Sequence, residues 1–425
     1  MMDRESYDKY LNTLREELVP ATGCTEPIAL AYAAALCRKA LGGLPDRVEA
    51  LVSGSIVKNV KSVVVPSTGG RKGIEVAIAA GLLFGDEGAS LEVLHDAPED
   101  AGERIDAYMR RATIDVALSQ SGYLFDIDLR CALAEDEAEV RIAGHHTNVE
   151  LIRRNQEVLL SEALGGEEPG SLNAERLNIG EIFSFACECD LEDVTPIIER
   201  QISVNTALSD EGLRNSWGAC IGRTLLSSDL HPDTLLLAKA RAAAGSDARM
   251  SGCELPAVIN SGSGNQGITI TLPIVTYAEA LKTSREDLIR ALVLANLCAI
   301  RIKKAIGCLS AYCGAICAGC AAGAGVAFLH ARDRSLIDHT IVNGLAILSG
   351  TVCDGAKPSC AAKIAMSVEA GVLGFRMAAA GREFVGGDGI VKKGIENTIS
   401  EVGRLGRDGM AHTNDVILGI MLGKP

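Results

Sequence analysis

The sequence predicts an α+β protein, with an N-terminal α/β domain over residues 1–165 and a mostly α-helical, Ala/Gly-rich domain over residues 166–425. Three observations predict it. The chain has 425 residues, too many for one ordinary core. Alternating or β-branched runs are confined to its first part. Residues 164–178 set Gly165, Gly166, Pro169 and Gly170 among acids and serines, a linker signature, and helix formers dominate beyond it.

Taken in order, residues 1–17 are charged and amphipathic, and 7–41 reads as helical, broken by Pro20, Gly23 and Pro27. Residues 47–52 read as a strand, 73–83 as an alanine-rich helix, 91–94 as a strand and 103–111 as a helix. Residues 114–118, 124–132 and 138–143 alternate or carry β-branched side chains, as strands do. Ser53-Gly54-Ser55 and Ser67-Thr68-Gly69-Gly70 read as loops. Glycine-rich interruptions fall at 260–267 and 386–389 in the helical part. Residues 305–329 carry no charge and are long enough to span a bilayer, which takes ~20 residues. Gly, Ala, Ser and Cys dominate that run, so it reads as a buried core helix. Aromatic residues make up only 4% of the chain, with Trp217 the one tryptophan, so small side chains are expected to let helices pack closely.

A hydrophobic content of 48% against 23% charged residues supports a large core and argues against wholesale disorder. The net charge of −14, with no basic tract, argues against nucleic acid as a partner. No export signal is legible at the N-terminus, so the expected location is cytoplasmic. In a reducing compartment the fourteen cysteines do not form a disulfide framework, and metal or catalytic roles gain weight. Cys37, Cys131, Cys220, Cys253 and Cys298 read as packing residues. Cys187 and Cys189 lie in an acidic stretch and are left unassigned.

Four segments can carry chemistry. In Ala21-Thr-Gly-Cys-Thr-Glu-Pro27, Cys24 precedes an expected helix start, whose dipole favours a thiolate; a buried cysteine in a capping turn is the plain alternative. In 260–267, Asn-Ser-Gly-Ser-Gly-Asn-Gln-Gly, repeated glycines free backbone N–H groups to converge on an anion, although many such stretches are ordinary turns. In 307–320, Cys313, Cys317 and Cys320 would share one helix face. In Cys353-Asp-Gly-Ala-Lys-Pro-Ser-Cys360, Gly and Pro predict an irregular loop able to wrap two thiolates around one object. Two such cysteine segments suggest a thiolate metal site, with packing as the alternative.

Together these segments resemble the L-cysteine desulfidase family, relatives of the iron–sulfur L-serine dehydratase α chains. The resemblance rests on Gly23-Cys-Thr-Glu-Pro27, Ser53-Gly-Ser-Ile-Val-Lys-Asn59, Ser261-Gly-Ser-Gly-Asn-Gln-Gly267, Tyr312-Cys-Gly-Ala315, the Cys353–Cys360 loop, His146-Thr-Asn148 and Ala243-Ala-Gly-Ser-Asp-Ala-Arg249. It runs from about residue 15 to about 420. It implies a [4Fe-4S] cluster on Cys313, Cys353 and Cys360, the loop here being shorter than in the serine dehydratases. Cys24 stands where those dehydratases carry a histidine, which favours a thiol-handling relative. The implied reaction is β-elimination from L-cysteine to sulfide, ammonia and pyruvate, with L-serine dehydration as the alternative. Cys24, Lys357 and His146 are the candidate acid/base residues. Ser53, Ser55, Asn260, Ser261, Ser263 and Asn265 are the expected substrate-binding residues. The implied partner is a small L-amino acid, with no membrane or nucleic acid, and a homo-oligomer is allowed.

Two readings from other classes compete. A pyridoxal phosphate lyase would use Lys357 as its Schiff-base lysine and 260–267 as a phosphate cup, leaving the cysteine segments unexplained. A redox or regulatory iron–sulfur module would need a fourth ligand from Cys24, Cys317 or Cys320.

Overall fold

The computed structural model describes residues 2–162, 177–227, 231–307 and 309–423. The expected linker at 164–178 lies almost wholly outside them. With 59% helix and 13% strand, the class is α+β, strands in the first half and helices dominating the second.

The first half is built on β2 (Arg47–Val52), whose alternate residues Val48, Ala50 and Val52 are buried. It pairs in parallel with β3 (Thr113–Leu118) and antiparallel with β4 (Asp126–Leu133). β5 (Asp136–Ala143), β6 (Val149–Arg154) and β7 (Glu157–Ser161) extend the sheet antiparallel, in the order β3-β2-β4-β5-β6-β7. Helix α2 (Thr25–Leu41) lies across β4 and β5 and packs on α4 (Ile74–Phe84). Pro27 does not break α2. It sits in the first turn, where its missing N–H has no intrahelical partner to lose.

Three local expectations are corrected. Residues 91–94 are not a strand: Ser90–Glu92 is a 3-10 turn, and Val93 accepts from the Asp86 amide while Leu91 and Leu94 are buried. A short apolar run buries equally well in a turn, so periodicity does not separate the two. Ser53-Gly54-Ser55 is not a loop but the start of α3 (Gly54–Val60), with Ser53 as its cap. The uncharged run 305–329 is not one helix. Helix α11 (Arg285–Ile306) ends inside it, and α12 (Gly314–His330) begins after a break at Gly307. Among the described residues, no helix is long and apolar enough to cross a membrane.

Every residue of α12 from Ala315 to Phe328 is buried. Around it pack α11, α10 (Gly264–Leu281), α13 (Arg334–Leu348) and α14 (Cys360–Ala379). Helices α12 and α14 touch at Gly319 and Gly371; a Cβ on Gly371 would stand 1.9 Å from the Gly319 carbonyl oxygen. The low aromatic content serves this close approach.

Two large hydrophobic cores result among the described residues, one around the sheet with α2 and α4, the other around α12. The N-terminal helix α1 (Arg4–Glu17) crosses to the second core through Tyr10, Leu11 and Leu14. The chain returns through β1 (Pro20–Thr22), which pairs antiparallel with β8 (Pro256–Val258). That ribbon sets Cys24 and the 260–267 segment side by side.

Candidate active site

Four helix starts converge on one cavity that encloses about 130 Å³ of solvent space. The first turns of α2 (Cys24, Thr25, Glu26), α10 (Ser263, Asn265, Gln266) and α12 (Cys313, Gly314, Ala315), with Cys360 opening α14, all line it. Unpaired N–H groups at helix starts favour negative charge. Lys58, Arg249, Lys303 and Lys363 add cations, against one lining carboxylate, Glu26. The lining is therefore richer in N–H donors and basic side chains than in carboxylates.

The three cysteines assigned by resemblance all line this cavity, for local reasons. Tyr312 bridges to Val352, the Cys313 amide donates to Thr351 at 3.0 Å, and the Cys353 amide donates to Ala311 at 2.6 Å. This short antiparallel contact sets Cys313 beside Cys353. The loop from Cys353 then folds over α3. Gly355 has φ of 94°, and a Cβ there would stand 2.2 Å from the Lys58 carbonyl oxygen. Burial, with Cys353 and Cys360 nearby, raises the Cys313 thiol to about 12. Burial raises Cys360 as well. Cys317 and Cys320 are buried in α12 and do not line the cavity. Cys37, Cys131 and Cys298 lie elsewhere, in the two cores.

Cys24 donates to Glu26 Oε2 at 3.0 Å, and Asn59 donates to Oε1 at 3.0 Å. Thr25 Oγ1 reaches across to the Gly262 carbonyl at 2.9 Å. The expectation that the helix start lowers the Cys24 pKa is reversed. Burial, followed by the Glu26 charge, pushes it well above the usual thiol value, outweighing nearby Arg249. Burial opposes ionisation of Glu26 too, but His146 and the Cys24 donor hold it at about 2. His146 Nε2 stands 3.9 Å from Glu26 Oε1, beyond a hydrogen bond.

Ser261, Ser263, Asn265 and His146 line the cavity with Cys24; Ser53, Ser55, Asn260 and Lys357 do not. Ser53 donates to the Leu124 carbonyl and caps α3, and Ser55 is buried within that helix. Asn260 is fully buried and donates to Asn296. Lys357 is bound to Asp354, which also accepts from Lys363. Sequence reasoning missed Glu26, Lys58, Arg249 and Gln266 as site residues, although all four close or nearly close a motif it quoted. Lys58 is 1% exposed, and its amine donates to Asn414 of α16 (Ala411–Met421) at 2.6 Å.

Five buried polar atoms on the lining have no hydrogen-bond partner among the described residues: His146 Nε2, Arg249 Nε, Asn265 Oδ1, Gln266 Oε1 and Tyr312 Oη. Such atoms are costly unless a ligand satisfies them.

The serine dehydratase alpha chain family matches residues 89–419, most of the chain. The chain belongs to that family. This serine dehydratase family member is also 49% identical over 424 residues to a UPF0597 protein of Desulfitobacterium hafniense, covering 99% of this chain and 98% of that one. It is 44% identical over 420 residues to a UPF0597 protein of Finegoldia magna, covering 98% and 99% of the two chains. It is 41% identical over 427 residues to one of Treponema denticola, covering 99% of each. The family match includes Cys313, Cys353 and Cys360 but begins after Cys24, Glu26 and Lys58. The UPF0597 likeness extends across those residues, since it covers nearly the whole chain.

Proposed function

We propose that this protein is an iron–sulfur lyase that eliminates the β-substituent of a small L-amino acid, L-cysteine before L-serine. The observation that carries the reading is the Cys24 thiol sharing one anion-favouring cavity with Cys313, Cys353 and Cys360. Among the described residues, no three His, Cys, Asp or Glu side chains are grouped to hold a single metal ion. A cubane makes a different demand, since each thiolate binds its own iron, and the placing of three cysteines on one cavity lining supports the reading. The four helix starts and the lining lysines suit the negative charge of such a group. When bound by these three cysteines, a cluster with one iron lacking a protein ligand supplies a Lewis acid.

The chain's own residues supply the remainder. Arg249 and the N–H groups opening α10 hold the substrate carboxylate. His146 Nε2 accepts the α-proton. Cys24, kept as a thiol by burial and Glu26, donates its proton to the departing sulfide. The aminoacrylate released tautomerises and hydrolyses to pyruvate and ammonia.

L-serine is the second reading, favoured by the family description; the same steps then expel water. The pyridoxal phosphate reading loses support, because Lys357 is tied to Asp354 and lies off the cavity lining. Anaerobic assay of the reconstituted protein with both amino acids, following sulfide and pyruvate separately, tests the proposal. Absence of turnover with both would overturn it and favour the redox or regulatory module.

A further inference from the structure

Behind the catalytic cavity lies a second one of about 430 Å³, and the two share His146, Ser261, Gly262 and Lys303. Its walls come from α1, the turn between β5 and β6, the turn after β8 and the end of α11. The α1 wall carries Glu16 and Glu17, with Lys9 farther along it, and the facing one carries Lys303 and Lys304. Lys304 Nζ stands 3.9 Å from Glu17 Oε1, looser than a contact ion pair. The remaining surface includes the apolar side chains of Val19, Leu91 and Ile259.

We infer that this second cavity is an antechamber that docks zwitterionic amino acids on their way to the reaction site, Glu17 receiving the ammonium and Lys304 the carboxylate. Opposite charges a few ångströms apart match the two ends of an α-amino acid and disfavour simple anions or cations. The position of Lys303 on both linings lets it take over the carboxylate as the ligand passes the His146–Gly262 boundary. The inference rests on the lyase reading above, because it assigns the substrate class to the chamber.

Three variants test it in the reconstituted holoenzyme: Thr13→Trp, which fills the chamber from α1; Lys304→Glu, which leaves two acids facing each other; and the swap Glu17→Lys/Lys304→Glu, which restores opposite charges. The expected result for Thr13→Trp and Lys304→Glu is a KM for L-cysteine and L-serine about tenfold higher with kcat unchanged. The swap is expected to recover most of that loss, which a merely structural defect would not do. Unchanged kcat/KM in both single variants, a loss carried by kcat alone, or no recovery in the swap would overturn the antechamber. An inactive wild-type holoenzyme would instead overturn the lyase reading itself, and the chamber's assignment with it.

Discussion

Inside the cavity, Glu26 organises its neighbours: it accepts from Cys24 and Asn59 and faces His146 across 3.9 Å. A thiol held in this way suits proton donation to a leaving group better than proton abstraction. Cys24→Ser should therefore lose most sulfide-forming turnover while keeping its iron and acid-labile sulfide. Normal kinetics with a small stability loss would identify Cys24 as a packing residue. His146→Gln should lower kcat by about 10²–10⁴-fold, the usual contribution of a positioned acid or base, with little change in KM. A variant with wild-type kcat would remove His146 from the reaction. Lys58 was hidden for a different reason. Its buried amine is met by Asn414 of α16, a contact between residues 356 positions apart.

Two elements invite stability tests. On β4, Asp128 is raised to about 6 by burial and then by Glu139, outweighing Arg130 and Arg141. Its folded pKa lies above the ordinary 3.8, so ionisation in the folded protein is penalised. The penalty is absent below about pH 4, develops as the pH rises, and is complete above about pH 6. Asp128→Asn should thus stabilise the protein by about 1–2 kcal/mol at pH 7 and not at pH 4, read as denaturant midpoints. Equal effects at both pH values would contradict the assignment. Between α12 and α14, Gly371→Ala would drive a methyl into the Gly319 carbonyl. Overpacking of this kind costs about 1–3 kcal/mol, and thermal unfolding should show it. An unchanged melting temperature would mean that the two helices separate without strain.

At the scale of the molecule, the cavity is assembled from parts of both cores. Cys24 opens the helix buried beneath the sheet, whereas Cys313 and Cys360 open helices of the second core. The β1–β8 ribbon joins the two halves beside the site. If Cys313, Cys353 and Cys360 hold the cluster, replacing any one by Ala should abolish the brown chromophore or leave iron and sulfide sub-stoichiometric. Replacing Cys298, buried away from the cavity, should leave both unchanged. Full iron and sulfide in all three site variants would rule the ligand set out.

Periodicity and turn chemistry were enough to read α4, α5 (Ala101–Arg111), β2 and the β4–β5 pair, because each pattern is local. The same local chemistry marked the Cys353–Cys360 segment as a loop. The cysteines and His146 were legible through motifs. Strands β6 and β7 were not, since their half-exposed residues carry little alternation. Among the serines and asparagines the sequence offered no way to separate a cap such as Ser53 or a buried linker such as Asn260 from a cavity residue such as Asn265. That distinction depends on where a side chain points after packing. Length, strand alternation and the linker signature determined the fold class, and motif order the family resemblance. Only the tertiary structure decided that four helix starts meet, that burial, with Glu26, raises the Cys24 thiol, and that Lys58 and Arg249 line the same space. Burial and the meeting of charges depend on segments far apart in the chain, and no local pattern encodes them.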